Sequence, residues 1–293
     1  MKKSNFLTLD SLSLQDFDEN SELIPLMTPE DEEEINNEKL PETLPILSLR
    51  NTVLFPGVVI PITAGRDKSI RLINDANKGN KVIGVVAQKD ESVENPSAKE
   101  IHEIGTVAKI LRVLKMPDGN VTVIIQGKKR FKVAQVLTEE PYMNATIRPI
   151  PEARPAQKNK EFLAIIDSIK ELALNIIKES PNIPSEASFA IKNIESDSFL
   201  INFVSSNMNL SVAEKQSLLQ IDDLKKRALA TLRFMNLEFQ KLELKNDIQS
   251  KVQMDMNQQQ REYFLHQQMK TIQEELGGVS HDQEIEEMQM RAT

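Results

Sequence analysis

Residues 44–62 have the sequence LPILSLRNTVLFPGVVIPI, which is apolar and rich in β-branched side chains. Such residues favour strands, whereas proline cannot donate a hydrogen bond to a neighbouring strand and is confined to strand ends and sheet edges. The stretch therefore predicts short strands separated by a turn at the Pro-Gly pair. Similar runs of Val, Ile and Thr follow, with separate strands expected at Val121–Ile125 and Arg130–Leu137. We predict a small β-rich lobe over residues 44–152.

Glycine and proline are absent from a long stretch that follows this lobe. No proline lies beyond Pro184, and no glycine lies between Gly127 and Gly277. Because both residues interrupt helices, a stretch without them indicates a helical region. Apolar spacing predicts helices at 161–180, 185–194, 197–207, 211–221 (opened by a capping box at Ser211 and Glu214) and 223–276. The predicted fold class is therefore α+β, with a helical bundle over 153–222 and a long helical arm over 223–276.

The predicted arm is apolar at its two ends and rich in glutamine between them. Leu232 and Met235 share one helical face, and so do Leu265 and Met269 further along. This pattern predicts an arm that packs at both ends and is solvated in its middle. Residues 277–293 are predicted to begin a linker.

The first 43 residues differ from the rest of the chain in charge. The net charge of the 293 residues is −8, and it comes from this acidic segment, which includes the run DEEE at 31–34. A segment with high charge and little apolar surface cannot offset the entropy lost on ordering. Residues 1–43 are therefore predicted to be a disordered tail, and the remainder is close to neutral.

Composition excludes several classes of function. The chain has no cysteine, which excludes disulfides, iron–sulfur clusters and cysteine nucleophiles and fits a reducing compartment. A near-neutral body without tryptophan gives no basis for DNA binding. The most apolar stretch, residues 53–62, is too short to cross a bilayer, so no membrane partner is expected. We predict a cytoplasmic protein.

Motifs for catalysis and for cofactor or metal binding fail at individual positions. His102 and Glu103 begin a zinc-protease motif, but Thr106 stands where the second histidine is required. Gly127-Lys128-Lys129 lacks the serine or threonine that completes a phosphate-binding loop. We therefore expect no catalytic, cofactor-binding or metal-binding residue. The residues indicate a binding or scaffolding module.

Several motifs together resemble the amino-terminal region of the Lon ATP-dependent proteases. They are the stretch at 44–66, IGTVA at 104–108, PDG at 117–119, QGKKRF at 126–131 and QREYFL at 260–265. The resemblance extends over residues 44–293. It implies a β-rich pseudobarrel of the PUA-like kind, then a helical bundle, then a long helix that runs towards an ATPase ring.

The same resemblance implies a function. Lon proteases are hexameric ATP-dependent serine endopeptidases that degrade misfolded, damaged and short-lived regulatory proteins. Their AAA+ module, which uses ATP and magnesium, and their protease domain, which uses a Ser-Lys dyad, would follow Thr293, so the chain is expected to be part of a longer protein. The resemblance therefore implies a region that binds unfolded or degron-bearing proteins and supports the hexamer.

Candidate contacts for an unfolded substrate are apolar and adaptable side chains. They are Phe55, Pro56 and Val58 in the turn, and Met254 and Met256 in the arm. Each of these residues is also compatible with an ordinary core or helix position. Two other interpretations stay open: a structural module that oligomerises through its long helix without contacting substrate, and a nucleic-acid-binding accessory.

Overall fold

The computed structural model describes residues 27–117, 119–156, 159–180, 183–184, 186–275 and 288–292. Its helices are α1 (Pro29–Asn37), α2 (Asp67–Lys78), α3 (Lys160–Glu179), α4 (Glu186–Asn193), α5 (Asp197–Asn207), α6 (Val212–Gln220) and α7 (Leu224–Glu275). Its strands are β1 (Thr43–Leu49), β2 (Val59–Ala64), β3 (Val82–Ala87), β4 (Ile104–Lys115), β5 (Val121–Thr138) and β6 (Asn144–Pro149). The predictions for residues 1–26, 276–287 and 293 lie outside the described residues.

The six strands form one sheet in the order β2-β5-β4-β3-β1-β6, and β5 also pairs with β6. The additional pairing closes β5, β4, β3, β1 and β6 into a ring, with β2 attached to the outside of β5. Strands β1 and β3 are parallel, because the chain passes through β2 and α2 between them, and the other pairs are antiparallel. The predicted α+β fold with a β pseudobarrel is confirmed.

Strand β5 differs from the prediction in its length. It is a single strand where the sequence predicts two, at Val121–Ile125 and Arg130–Leu137. Its register shifts against both β4 and β6. Shifts of this kind mark bulges, which bend a strand without ending its pairing. The first half of β5 therefore pairs with β2 and β4, and the second half pairs with β4 and β6.

Two apolar clusters of described residues make up much of the core of the β lobe. One cluster joins α2 to the sheet and includes Leu72, Ile73, Val123 and Ile125, all of them buried. The other surrounds the fully buried Phe131 on β5. Alternate residues of β5 thus point into the core, as the period of a strand requires.

Residues 29–37 are helical, which corrects the prediction that the whole acidic segment is disordered. A capping box opens α1: the Asp31 N–H donates to Thr28 Oγ1 at 3.2 Å, and the Thr28 N–H donates to Asp31 Oδ2 at 3.0 Å. Met27 and Ile35 are buried. The reason for the difference is tertiary, because so short a helix is marginal in isolation and residues far along the chain hold this one.

The remaining helices lie where the sequence predicts them. Asn159 caps α3 by accepting the Phe162 N–H at 3.1 Å, and the predicted capping box of Ser211 and Glu214 opens α6. Helix α7 is continuous through its glutamine-rich part.

The chain divides into two compact units between Phe239 and Gln240, and this boundary lies inside α7. The first unit contains both the β lobe and the helical lobe, which we define as α3 to α6 with the first turns of α7. The division into separate domains at 44–152 and 153–222 stays a prediction.

Candidate functional site

The turn between β1 and β2 is fixed to β5 by two backbone hydrogen bonds. The Gly57 N–H donates to the carbonyl of Gly127 at 2.9 Å, and the Gly127 N–H donates to the carbonyl of Val58 at 2.9 Å. Phe55 and Val58 are 0% and 5% exposed, so their side chains belong to the core and are inaccessible to a substrate in this structure. Pro56 is half-buried and borders a cleft. Of the three candidate contacts in the turn, only Pro56 is accessible.

Gly57 lies where three parts of the chain meet. Its φ is +81°, a left-handed conformation that suits glycine. A Cβ atom at this position would lie 2.6 Å from Cδ2 of Phe199 in α5 and 3.0 Å from Cε of Met27 before α1. Non-bonded carbon atoms are normally about 3.5–4.0 Å apart. The missing side chain of glycine therefore allows the β lobe, α5 and the N-terminal segment to approach one another.

A cleft of about 360 Å³ opens beside this meeting point, and we call it the junction cleft. It is bordered by the turn, by β5, by the segment that follows β6, by α1 and by α5. Its charged side chains are Glu32, Lys128, Lys129, Arg130, Glu152 and Arg154. Basic side chains thus outnumber acidic ones in the lining of the cleft.

A buried arginine of α7 holds the segment that follows β6. Arg227 Nη1 donates to Glu152 Oε2 at 3.0 Å and to Asn202 Oδ1 at 3.1 Å. Burial, followed by the neighbouring positive charge of Arg130, lowers the pKa of Arg227 to about 10. The guanidinium is therefore still charged at neutral pH, and Glu152 neutralises it.

A second buried arginine connects β5 to the helical lobe. Arg130 Nη1 donates to the carbonyl oxygens of Leu219 at 2.9 Å and Ile221 at 3.0 Å, and to Asp222 Oδ1 at 3.0 Å. The side chain is only 2% exposed, and its Nη2 has no hydrogen-bond partner among the described residues. Since buried polar groups are nearly always paired, Arg130, which is one of the residues that line the cleft, is unusual in retaining an unsatisfied and fully buried donor.

Helix α1 is attached to the junction cleft at its middle and at its end. The Glu32 carboxylate pairs with Arg154. Beyond the helix, the carbonyl oxygen of Glu38 accepts from Lys129 Nζ at 2.7 Å, and the Glu38 carboxylate lies 3.9 Å from Lys128 Nζ. Burial lowers the pKa of Lys129. The acidic segment thus already places carboxylates against the basic side chains of the cleft.

The second unit exposes apolar side chains along α7. Leu244, Ile248, Val252 and Met256 are spaced by four residues, so they form one row on the helix surface. All four are at least half exposed. We call them the α7 row. Because soluble monomers rarely expose a large contiguous apolar patch, such a row indicates a binding surface.

Both candidate methionines of the arm are accessible, with Met254 72% and Met256 50% exposed. Met256 belongs to the α7 row, whereas Met254 lies on another side of the helix. The sequence interpretation missed Ile248 and Val252, although their positions eight and four residues before Met256 were a usable signal. Leu265, at the far end of α7, is also exposed, so the packing predicted at that end is not found within the described residues.

The described residues contain neither a helix suited to a membrane nor a cluster suited to a metal ion. None of their helices has the length and apolarity needed to cross a membrane. Those residues also contain no group of three or more His, Cys, Asp or Glu side chains that could hold a metal ion. The geometry supplies two candidate surfaces of different chemistry, namely the basic junction cleft and the apolar α7 row.

Residues 43–237 match the family described as the ATP-dependent protease La (LON) substrate-binding domain. The chain is 72% identical over 292 residues to a Lon protease of Flavobacterium johnsoniae, an alignment that covers 100% of this chain and 36% of that protein. It is 49% identical over 271 residues to a Lon protease of Cytophaga hutchinsonii, covering 92% of this chain and 33% of that protein. The chain therefore spans about a third of the length of these curated relatives.

A solved structure has the same fold. The N-terminal domain of the Mycobacterium avium complex Lon protease superposes with a TM-score of 0.55 at 20% sequence identity. The match covers 66% of this chain and 98% of that domain.

Proposed function

The chain belongs to the family of Lon substrate-binding domains, and on that premise we propose that it captures unfolded or degron-bearing proteins for an ATP-dependent protease. It also supports assembly of that protease as a hexamer, and it acts in the cytoplasm. ATP hydrolysis with magnesium, and cleavage of misfolded, damaged or short-lived proteins by a Ser-Lys dyad, are assigned to sequence that this chain does not contain. The absence of cysteine fits this compartment.

The observation that carries the proposal is the α7 row. Unfolded proteins differ from folded ones in exposing apolar side chains along an extended chain, and the row offers a matching apolar ridge. Met256 adds a flexible side chain that fits partners of different shape. The exposed glutamines at 258–260 keep the surface around the row polar.

The test uses a reduced, unfolded casein-like protein, with a folded protein as the reference substrate. Ile248→Lys combined with Met256→Lys places charge on the α7 row, and Gln249→Lys combined with Gln258→Lys adds the same charge at exposed polar positions of the same helix. We expect the row variant to bind the unfolded protein about tenfold more weakly or worse, and the control variant to bind like the original chain. Crosslinks identified by mass spectrometry are expected to cluster on residues 244–256. Equal binding by both variants would contradict the proposal.

A structural role is the second candidate, favoured by the far end of α7. Leu265, Met269 and Ile272 repeat with the four- and three-residue spacing of a coiled-coil seam, and all three are exposed. Light scattering of the chain and of Leu265→Lys combined with Met269→Lys measures this role. Loss of self-association with intact substrate binding assigns this end to assembly. A self-associating chain that binds no unfolded protein would leave only the structural role.

A further inference from the structure

Helix α1 is bound in the junction cleft by complementary contacts. Met27 and Ile35 bury their side chains, and the side chain of Glu32 is 14% exposed. Glu32 pairs with Arg154 and its Oε2 accepts from Ser196 Oγ at 2.6 Å, while the neighbouring Glu33 is exposed to solvent. The segment therefore has one acidic and apolar face in the cleft and another acidic face in water, which is how an amphipathic ligand binds.

The attachment of α1 is local. A helix of 9 residues is marginal in isolation, so α1 is ordered because the cleft holds it. The two apolar clusters described above for the β lobe include no residue of α1. Short elements held by few buried side chains open at low free energy compared with global unfolding. The cleft can therefore lose α1 while both lobes stay folded.

Helix α1 neither fills the cleft nor pairs every polar group of the residues that line it. About 360 Å³ remains open with α1 in place. The bordering Arg130 keeps an unpartnered Nη2 on a side chain that is 2% exposed. A buried guanidinium nitrogen of this kind is satisfied by a carboxylate. A ligand carboxylate that reached this nitrogen after α1 has left would make an interaction that α1 does not make.

We propose that the junction cleft is a docking site for an acidic amphipathic helix of a partner protein, and that α1 is its intramolecular competitor. The partner helix would place one apolar side chain in the position of Ile35 and a carboxylate against Arg154. The junction cleft is distinct from the α7 row. The docking proposal therefore goes beyond the proposed function, and each can be refuted without the other. Access to the cleft is controlled by how often α1 detaches.

The probe is a fluorescently labelled peptide with the sequence of residues 27–38, added to the full chain and followed by polarisation. Glu32→Ala combined with Ile35→Asp releases α1, and Glu33→Ala is the matched control, which removes an exposed acid from the same helix. A tethered segment competes at an effective concentration in the millimolar range, so the release variant is expected to bind the peptide at least about tenfold more tightly than the original chain. The control variant is expected to bind like the original chain. Adding Arg154→Ala to the release variant is expected to abolish the gain.

A second release variant is included in case the first one does not fold. Thr28→Ala combined with Asp31→Ala removes the capping box at two exposed positions, and it is expected to strengthen peptide binding in the same direction. Equal affinity for the original chain and the release variants, or no binding to any of them, overturns the proposal. A chain that is dimeric by light scattering, and whose dimer dissociates in the release variant, also overturns the proposal, because α1 would then be exchanged between copies and would not be an intramolecular competitor.

Discussion

Replacing Gly57 with alanine places a methyl group at the point where the β lobe, α5 and the N-terminal segment meet. Gly57 has a φ of +81°, and its added Cβ would lie 2.6 Å from a ring carbon of Phe199. Gly119 has nearly the same conformation, with a φ of +86°, but an added Cβ there would have no atom within 4 Å among the described residues. Alanine at either position has the same backbone cost, and only alanine at position 57 also makes a close contact. Comparing the two variants therefore separates the steric cost from the backbone cost.

The expected losses follow from these two terms. A left-handed conformation costs an alanine about 1–2 kcal/mol, and this is the whole expected loss for Gly119→Ala. Overpacking of a filled site adds about 1–3 kcal/mol, so Gly57→Ala is expected to lower the free energy of unfolding by about 2–5 kcal/mol. The difference between the two variants measures how firmly Phe199 is held against the turn.

Urea unfolding followed by circular dichroism gives both losses on the same scale. Phe199→Leu supplies a smaller side chain, so in the Gly57→Ala background it is expected to recover part of the steric loss, although alone it is destabilising. The double-mutant cycle should therefore show a coupling energy of about 1–2 kcal/mol. Equal losses for Gly57→Ala and Gly119→Ala, together with additive behaviour of Phe199→Leu, would refute the close approach as the reason for glycine at this position.

Three further predictions concern α1 and the buried arginines. Thr28→Ala removes the capping side chain of α1 and is expected to cost that helix about 1 kcal/mol, measured as faster amide exchange over residues 29–37, with no change in the helical lobe. Hydrogen bonds from Thr28 hold the pKa of Asp31 below its ordinary value of 3.8, so the stabilisation of α1 is present above that value and is lost as the pH falls through the folded-state pKa. Amide shifts of α1 in an acid titration measure this loss, and an Asp31→Asn variant should not show it. Arg227→Met removes the cation that donates to Glu152 and is expected to cost about 3–5 kcal/mol in urea unfolding. Adding Glu152→Gln should restore part of the lost free energy of unfolding, because it removes the carboxylate charge that Arg227→Met leaves unpaired. If nothing is restored, the unpaired charge of Glu152 is not the source of the loss.

The helical half of the fold was predictable because its signals are local. The capping box at Ser211 and Glu214 lies within one turn of the helix that it opens, and proline and glycine punctuate the chain at fixed positions. Strand β5 was less predictable, because a bulge and a strand break have the same local composition. Only the pairing partners on both sides distinguish them, and those partners are distant in sequence.

The junction cleft could not be predicted because no local pattern contains it. Glu32 contacts Arg154 and Ser196, which are more than a hundred residues away in sequence. Composition alone favours disorder for an acidic run, and the prediction for α1 was wrong because long-range partners outweigh that preference. The α7 row was predictable in principle from the spacing of Ile248 and Met256, since a row on one helix is a local feature.

The charged side chains at the joint between the two lobes make the contact between the lobes selective in geometry, which apolar side chains would not do. Buried ion pairs seldom stabilise a protein more than well-packed apolar residues would, because desolvation offsets the Coulomb attraction. Their geometry is selective, however, and Arg130 fixes β5 against specific carbonyl groups of the helical lobe. The same guanidinium retains its unpaired Nη2, whose desolvation costs free energy until an acceptor reaches it. A carboxylate that reached Nη2 would remove that cost, and because Arg130 also lines the junction cleft, binding in the proposed docking site would then be linked thermodynamically to the joint between the lobes.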